Sequence, residues 1–304
     1  MSLVWLNGNF VEENDAGVSL RDTGLLHAAG VFTTMRSYRG SVYRIRKHLE
    51  RLRASCEALF VPLKFKDEEL IEATHELLKR NSLSEARLRL TATRGHATED
   101  PLHGVRLEPN AFLTATSLEP YPAEFYQRGM TVVLLDEQKL NPYDVQAGHK
   151  TLNYFSRLAG LKEANRAGAG EALWFSVHNF LQCGSITNVF IVKDGVLTTP
   201  PTNEELRDPS VREATPYPRS NVLPGVTRGT IIELAQAQDL PVRIAPVDVH
   251  QLLDADEVLL TNSVMQVMPV CRIEKRPIGN DRPGEMTLRL TELYRDAVDA
   301  ETSV

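Results

Sequence analysis

The fold is decided by residues 32–59, which read FTTMRSYRGSVYRIRKHLERLRASCEAL. The first half contains two alternating segments, Phe32–Arg36 and Ser41–Arg44, joined through Tyr38-Arg39-Gly40, which predicts a pair of strands. The second half changes period and predicts an amphipathic helix, because apolar residues recur at three- and four-residue spacing. These residues are Ile45, Leu49, Leu52, Cys56 and Leu59. Strands that cluster with helices, instead of alternating with them, favour an α+β fold.

The same kinds of pattern continue outward from this stretch. An Asn-Gly hairpin signal lies before it at Asn7-Gly8, and a second helix opens after it at Asp67. Alternating or continuous apolar runs predict further strands at 86–93, 112–116, 131–135, 171–177, 188–193 and 257–261. Helical spacing predicts further helices at 153–166, 227–238 and 288–300.

Length and proline content predict two domains. The chain has 304 residues, about twice the length of a typical domain. Its stiffest polar break is Glu119-Pro120-Tyr121-Pro122. We therefore predict a smaller α+β domain over residues 1–118, a linker at 119–125 and a larger domain over 126–304. Within the larger domain, the charged and proline-rich stretch 202–220 is expected to be a surface excursion.

Composition and charge exclude several classes of protein. The 34 Lys and Arg residues against 40 Asp and Glu give a formal charge of -6, whereas a nucleic-acid binder needs a basic surface to neutralise phosphates. The apolar runs are too short to span a bilayer, and no signal peptide is visible. Cys56, Cys183 and Cys271 include no CxxC pair, so neither a disulfide framework nor a metal site is predicted. We expect a cytoplasmic enzyme or binding protein with no membrane or nucleic-acid partner.

Pattern alone identifies few candidates for chemistry, since the chain has no GxGxxG, Walker, HExxH or GxSxG motif. Lys150 lies between a loop and a helix, where a solvated charge is the ordinary interpretation. Leu223–Arg228 leads through a glycine turn into a helix whose free N–H groups can bind an anion. By periodicity alone Arg51 is a surface residue, and Ser263 follows a strand with a hydroxyl that either packs or binds a ligand.

Six blocks, in their order and spacing, resemble the class IV (fold-type IV) aminotransferase family. They are Phe32–Arg36, His48–Leu52, Lys150–Asn153, Asn188–Phe190, Leu223–Arg228 and Met265–Val270. The resemblance covers nearly the whole chain. It implies a two-domain fold with a smaller N-terminal α/β sandwich and a larger C-terminal domain with a barrel-like sheet. It also implies pyridoxal 5'-phosphate as the cofactor, bound between the domains, and a homodimer with its active site near the interface.

The resemblance assigns roles to individual residues. Lys150 matches the lysine that forms a Schiff base with the cofactor and then moves the α-proton of the substrate. Arg51 matches the arginine that binds the cofactor phosphate, for which a planar guanidinium is well suited. Further phosphate contacts are implied at a helix start and after a strand. These residues are Val226, Thr227, Asn262 and Ser263.

One position departs from the family. Residues 181–190 read LQCGSITNVF, and Cys183 stands where the family has a glutamate that keeps the pyridine nitrogen of the cofactor protonated. A neutral thiol is a weak donor and cannot supply that charge. Because an unprotonated ring withdraws electrons less strongly, we expect transamination to be less favourable here than elimination.

In finer detail, two blocks are similar to those of 4-amino-4-deoxychorismate lyases. Phe32–Arg36 resembles their Phe-Thr-Thr-x-Arg, and Met265–Cys271 resembles their Met-Pro-Val-Met-Pro-Val-Cys. Thr34 then matches a threonine that assists proton transfer. The implied reaction converts aminodeoxychorismate to 4-aminobenzoate and pyruvate, a step of folate biosynthesis. Two alternatives stay open: a branched-chain or D-amino-acid transaminase that uses 2-oxoglutarate, and a cofactor-binding homologue that has lost catalysis.

Overall fold

The computed structural model describes residues 2–100 and 104–303 and has the α+β fold that the sequence predicts. Its residues cluster into two compact units. Unit 1 comprises Met1–Glu119, His149–Asn153 and Val298–Val304, and unit 2 comprises Pro120–Gly148 and Tyr154–Ala297. The contacts of the Lys150 segment therefore place it in unit 1. No helix in the described ranges is both long enough and apolar enough to cross a membrane.

Unit 1 is built on an antiparallel sheet. Its strands are β1 (Leu3–Leu6), β2 (Asn9–Glu12), β3 (Gly30–Tyr38), β4 (Ser41–Val42), β5 (Ala86–Asp100) and β6 (Gly104–Ser117). They lie in the order β2-β1-β6-β5-β3-β4. The helices are α1 (Thr23–His27), α2 (Ile45–Ala58) and α3 (Asp67–Arg80).

The alternation of β3 and β5 determines what each face of this sheet carries. Val31 and Met35 of β3 are buried in the same core as Leu88 of β5. This core includes Leu49 and Leu52 of α2 and Leu70, Leu77 and Leu78 of α3. A fully buried leucine contributes about 1.5–3 kcal/mol relative to an exposed one. Successive side chains of a strand point to opposite faces, so Phe32, Thr34 and Arg89 lie on the other face, which we call the site face.

Unit 2 is built on a mixed sheet. Its strands are β7 (Met130–Leu140), β8 (Glu171–Ser176), β9 (Leu181–Gly184), β10 (Asn188–Lys193), β11 (Val196–Thr199), β12 (Val242–Ile244), β13 (Glu257–Asn262), β14 (Gln266–Ile273) and β15 (Arg276–Pro277). The order is β12-β11-β10-β13-β14-β7-β8-β9, with β15 paired to β14. The helices that begin in this unit are α4 (Ala123–Arg128), α5 (Phe155–Arg166), α6 (Pro209–Glu213), α7 (Val226–Ala237), α8 (Val249–Leu253) and α9 (Glu285–Thr302).

Helix α5 packs closely on the sheet of unit 2 because it carries a glycine at the contact. A Cβ atom on Gly160 would lie 2.7 Å from the Trp174 indole and 2.9 Å from the Leu135 side chain, which is closer than real Cβ contacts. Trp174 is fully buried on β8 and is paired in register with Cys183 of β9. This packing brings the first turn of α5 against the end of β9.

Most residues of the segment 202–220 are exposed, but the segment also has buried anchors. Leu206 and Tyr217 are buried within this segment. The buried Arg228 guanidinium donates to both carboxylate oxygens of Glu205, at 2.8 and 2.9 Å, and to the Pro200 carbonyl at 3.1 Å. The charge pattern of the segment does not predict this anchoring, because one of its charges, Glu205, is paired with Arg228 inside unit 2.

Candidate active site

Lys150 is held beside the first half of β3. The Phe32 N–H donates to the Lys150 carbonyl at 2.9 Å, and Val31 and Thr151 form an antiparallel bridge. Residues directly opposite each other in an antiparallel pair share a face. Accordingly, the Lys150 Nζ lies 4.6 Å from the centroid of the Phe32 ring. Backbone pairing therefore places the Lys150 amine on the site face.

A second cation contacts the same aromatic ring. The central guanidinium carbon of Arg89 lies 3.4 Å from the Phe32 centroid, and its Nε donates to the Thr91 hydroxyl at 3.2 Å. Arg89 lies directly opposite Thr34 in the register of β3 and β5. The site face thus combines an amine, a guanidinium, a hydroxyl and an apolar ring. Such a surface suits a small molecule that carries a carboxylate and an apolar part.

Arg51 belongs to a hydrogen-bonded group on the side of the sheet that α2 and α3 cover. Its Nη2 donates to the Thr33 hydroxyl at 2.9 Å, and the same hydroxyl lies 2.9 Å from Nδ1 of the buried His48. The Thr33 hydroxyl is buried, and it links the Arg51 guanidinium to the His48 ring.

Burial and neighbouring positive charges favour the neutral form of His48. Burial, together with the positive charges of Arg51 and Lys150, holds the pKa of His48 well below the usual value for histidine. Because both cations act on one imidazole, they belong to the same local electrostatic environment in unit 1. His149 points away from the site face, since its Nδ1 pairs with the Ser55 hydroxyl of α2 at 3.0 Å.

The start of α7 has the features of an anion site. Its N-cap residue, Gly225, has no side chain that could accept from the first-turn N–H groups at Val226 and Thr227. A Cβ atom at Gly225 would lie 1.9 Å from Oδ1 of Asn188, so only glycine allows this approach of the turn to β10. Asn188 in turn donates to the Leu223 carbonyl at 2.9 Å and holds the turn in place.

The end of β13 and the segment after it form a turn that contains two of the predicted phosphate contacts, Asn262 and Ser263. Oδ1 of Asn262 accepts from the N–H groups of Val264 and Met265, at 2.9 and 2.7 Å. The Asn262 amide therefore stabilises the turn. Ser263, at the tip of this turn, is half-buried and offers a hydroxyl as a donor.

Cys183 lies in a cluster that contains a cation instead of a carboxylate. Nη1 of Arg157, in the first turn of α5, lies 3.4 Å from the Cys183 Sγ and 3.4 Å from the Gly184 carbonyl oxygen. The Arg157 guanidinium also stacks over the Trp174 indole at 4.9 Å. Among the described residues, no carboxylate lies within 4.0 Å of the Arg157 nitrogens.

Glu171 of β8 is the acid near this cluster, and it accepts hydrogen bonds from three backbone N–H groups and one hydroxyl. Its Oε1 accepts from the N–H groups of Ala172 and Ser185, and its Oε2 accepts from the Ile186 N–H and the Thr187 hydroxyl, at 2.9–3.1 Å. Burial raises the pKa of Glu171, and these donors oppose the rise. Glu171 therefore stabilises the loop after β9 and does not pair with Arg157.

The structure groups the predicted site residues by unit. Lys150, Thr34 and Arg51 lie in unit 1, whereas Cys183 and the remaining phosphate candidates lie in unit 2. Sequence reasoning missed Arg89, although the alternation of residues 86–90 (ARLRL) could have predicted its face. No sequence pattern predicts the contact of Arg157 with Cys183, because this contact depends on how closely α5 packs on the sheet.

Known proteins of one family resemble this chain over nearly its whole length. The family described as amino-transferase class IV matches residues 30–208 and 212–273. A Methanocaldococcus jannaschii protein named "Putative branched-chain-amino-acid aminotransferase" is 35% identical over 96% of this chain and 95% of its own. D-alanine aminotransferase of Staphylococcus haemolyticus is 26% identical over 100% of both chains. The solved structure of a T.th. branched-chain amino acid aminotransferase with pyridoxamine 5'-phosphate has a TM-score of 0.86, with 28% identity over 99% of this chain and 96% of that chain.

Proposed function

The chain belongs to the class IV aminotransferase family, and we propose that it transfers the amino group of a branched-chain amino acid to 2-oxoglutarate. The observation that carries this proposal is the site face of unit 1. There the Lys150 amine and the Arg89 guanidinium lie against one buried phenylalanine ring. An amine for exchange, a cation for a carboxylate and an apolar wall for an aliphatic side chain are what such a substrate requires.

The residues present fit pyridoxal phosphate, the cofactor of the family. A phosphate dianion suits the uncapped start of α7 and the Ser263 hydroxyl. Arg51 supplies a guanidinium, and the primary amine of Lys150 suits the aldehyde. When bound, pyridoxal phosphate withdraws electrons from the substrate α-carbon and so makes its proton acidic.

The residues of the chain then divide the work. With the cofactor bound, Lys150 Nζ would take the proton from the α-carbon of the substrate and deliver it to the carbon that came from the cofactor aldehyde. Arg89 binds the substrate carboxylate as a charge-assisted pair. Phe32 covers one side of the amine and excludes water from it, while the Thr34 hydroxyl, on the same face, carries protons to and from Lys150.

The lyase that the finer sequence resemblance implied is the second candidate. Two points support it: Thr34 shares the site face with Lys150, and Cys183 stands where the family has a glutamate. Against it, the relatives reported above are named as aminotransferases. The transaminase therefore takes precedence, with the branched-chain substrate ahead of D-alanine because the identity to the branched-chain relative is higher.

Product analysis of the holoenzyme tests the choice. We expect glutamate from L-leucine and 2-oxoglutarate, and less product when D-alanine replaces leucine. Pyruvate from aminodeoxychorismate without any glutamate from amino acids would establish the lyase instead. Bound cofactor without either product would establish the non-catalytic alternative.

A matched pair of variants tests the role of Arg89 in the same assay. Losing one charge-assisted contact costs about 1.5–3 kcal/mol, so Arg89→Gln should raise the KM for leucine by about tenfold or more. Arg87, two residues earlier on β5, is exposed, and Arg87→Gln should behave like the unsubstituted enzyme. Equal effects of the two substitutions would remove Arg89 from the substrate site.

A further inference from the structure

The cluster of Arg157, Cys183 and Trp174 has a chemistry that the family resemblance does not provide. Cys183 and Trp174 are opposite each other on β9 and β8, and Arg157 reaches both from α5. A thiol, a guanidinium and an indole thus meet at one place in unit 2. By the resemblance, Cys183 is the residue assigned to the nitrogen of the cofactor ring.

We infer that Arg157 and Cys183 together form the polar contact of this ring nitrogen and keep it unprotonated in the resting enzyme. A guanidinium has only donors and does not lose its proton in proteins. Its positive charge disfavours a second positive charge beside it. A nitrogen that faces this pair therefore accepts a hydrogen bond and carries no proton of its own.

In the described part of the chain, no acidic group packed around the cluster forms an ion pair with Arg157. From β8, the Glu171 carboxylate is occupied by four donors of its own. From the N-cap of α5, the Tyr154 hydroxyl donates to the Ser185 carbonyl at 3.3 Å. The Arg157 Nη1 is itself 3.4 Å from a carbonyl oxygen, that of Gly184, which orients the guanidinium without neutralising it.

The inference rests on the proposed function only in taking pyridoxal phosphate as the bound group. Its consequence is a weaker electron sink than a pyridinium, so amino transfer would depend more on Lys150 and Arg89 than on the ring. It also explains how the chain functions without the glutamate of the family: the Arg157 guanidinium and the Cys183 thiol, which contact each other, take its position.

The experiment is ¹⁵N NMR of the resting holoenzyme, reconstituted with pyridoxal phosphate labelled at the ring nitrogen and titrated with acid. The unsubstituted enzyme should show the shift of an unprotonated pyridine nitrogen at neutral pH. Arg157→Gln removes the cation, so its ring nitrogen should take up a proton at a higher pH. Arg166→Gln makes the same charge change on the exposed end of α5 and should titrate like the unsubstituted enzyme.

A third variant extends the range of the measurement. Cys183→Glu should move the shift to that of a protonated ring at neutral pH. A protonated ring in the unsubstituted enzyme would overturn the inference, and so would identical titrations of Arg157→Gln and Arg166→Gln. If Cys183→Glu does not hold the cofactor, the two arginine variants still decide. The measurement needs no turnover, so failure of leucine transamination would count against the proposed function and leave this result intact.

Discussion

Single arginines of α2 differ in their surroundings. Arg51 is half-buried and hydrogen-bonded to Thr33, whereas Arg46, on the same helix, is exposed and paired with Glu68 at 3.5 Å. If Arg51 binds the cofactor phosphate, it does so from a pre-oriented position. Arg46 is exposed and contacts Glu68 at the surface, so it serves as the control for Arg51.

We therefore expect Arg51→Ala to lower the affinity for pyridoxal phosphate by about tenfold or more, because a charge-assisted contact is worth about 1.5–3 kcal/mol. Turnover at saturating cofactor should change much less. Fluorescence titration of the apoenzyme with cofactor measures the affinity. Arg46→Ala should leave it unchanged, and an Arg51→Ala affinity equal to that of Arg46→Ala would return Arg51 to the surface role that periodicity suggested.

His48 predicts a pH dependence of stability. Its pKa is lower in the folded chain than in the unfolded chain, mainly because of burial. Below about pH 6.5 the unfolded chain takes up a proton that the folded chain does not, so the free energy of unfolding falls by up to about 1.4 kcal/mol per pH unit. Above that pH the two states bind equal numbers of protons at this site and the loss disappears.

His48→Asn keeps an acceptor near the position of Nδ1 and removes the titration. Urea unfolding between pH 7 and about pH 5 should therefore show a flatter loss of stability in this variant. His75→Gln, on the exposed side of α3, should keep the slope of the unsubstituted protein. Equal slopes in all three proteins would mean that His48 is charged in the folded chain.

At the scale of elements, α7 is tied to residues 202–220 by Arg228. Although burial raises the pKa of Glu205, the Arg228 contacts prevail and lower it, so the carboxylate is ionised. Removing the arginine leaves this charge without its partner. Arg228→Met should then cost about 3 kcal/mol in the free energy of unfolding, at the lower end for a buried pair because Glu205 keeps some exposure.

Denaturant unfolding measures this cost, and Arg243→Met, an exposed arginine of β12, is its control. A loss below about 1 kcal/mol for Arg228→Met, which is typical of surface pairs, would show that the segment is not anchored by this contact. A large loss in the control would show a general effect of removing arginine from this unit.

The elements also show where sequence reasoning succeeds. The helix predicted from Ile45 to Leu59 is found as Ile45–Ala58, because one strong apolar stripe fixes both its type and its buried side. Sequence reasoning misses β9, since its four residues are all buried and show no alternation. Contacts such as Arg89 with Phe32 depend on strand register and packing distance, which no local pattern records.

At the scale of the whole molecule, the family resemblance implies a homodimer. Unit 1 exposes three leucines close together in sequence, Leu20, Leu25 and Leu26, at 82%, 59% and 56% of their surface. Covering each one fully is worth about 1.5–3 kcal/mol. We expect a second copy of the chain to cover this segment.

Light scattering of the holoenzyme should give the mass of two chains. Replacing both Leu25 and Leu26 with Glu should shift the protein toward the mass of one chain, since two charges would have to be buried. Leu288→Glu changes a leucine of α9 that is 49% exposed and should leave the mass unchanged. A single-chain mass for the unsubstituted protein would contradict the dimer.

A chemical label tests whether Lys150 carries the cofactor. Borohydride reduction of the holoenzyme fixes pyridoxal phosphate to whichever amine holds it, and peptide mass spectrometry then locates the label. We expect a single labelled peptide containing Lys150, and no label at the neighbouring lysines, Lys139 and Lys162. Recovery of the label on any other lysine, or labelling that persists in Lys150→Ala, would contradict it.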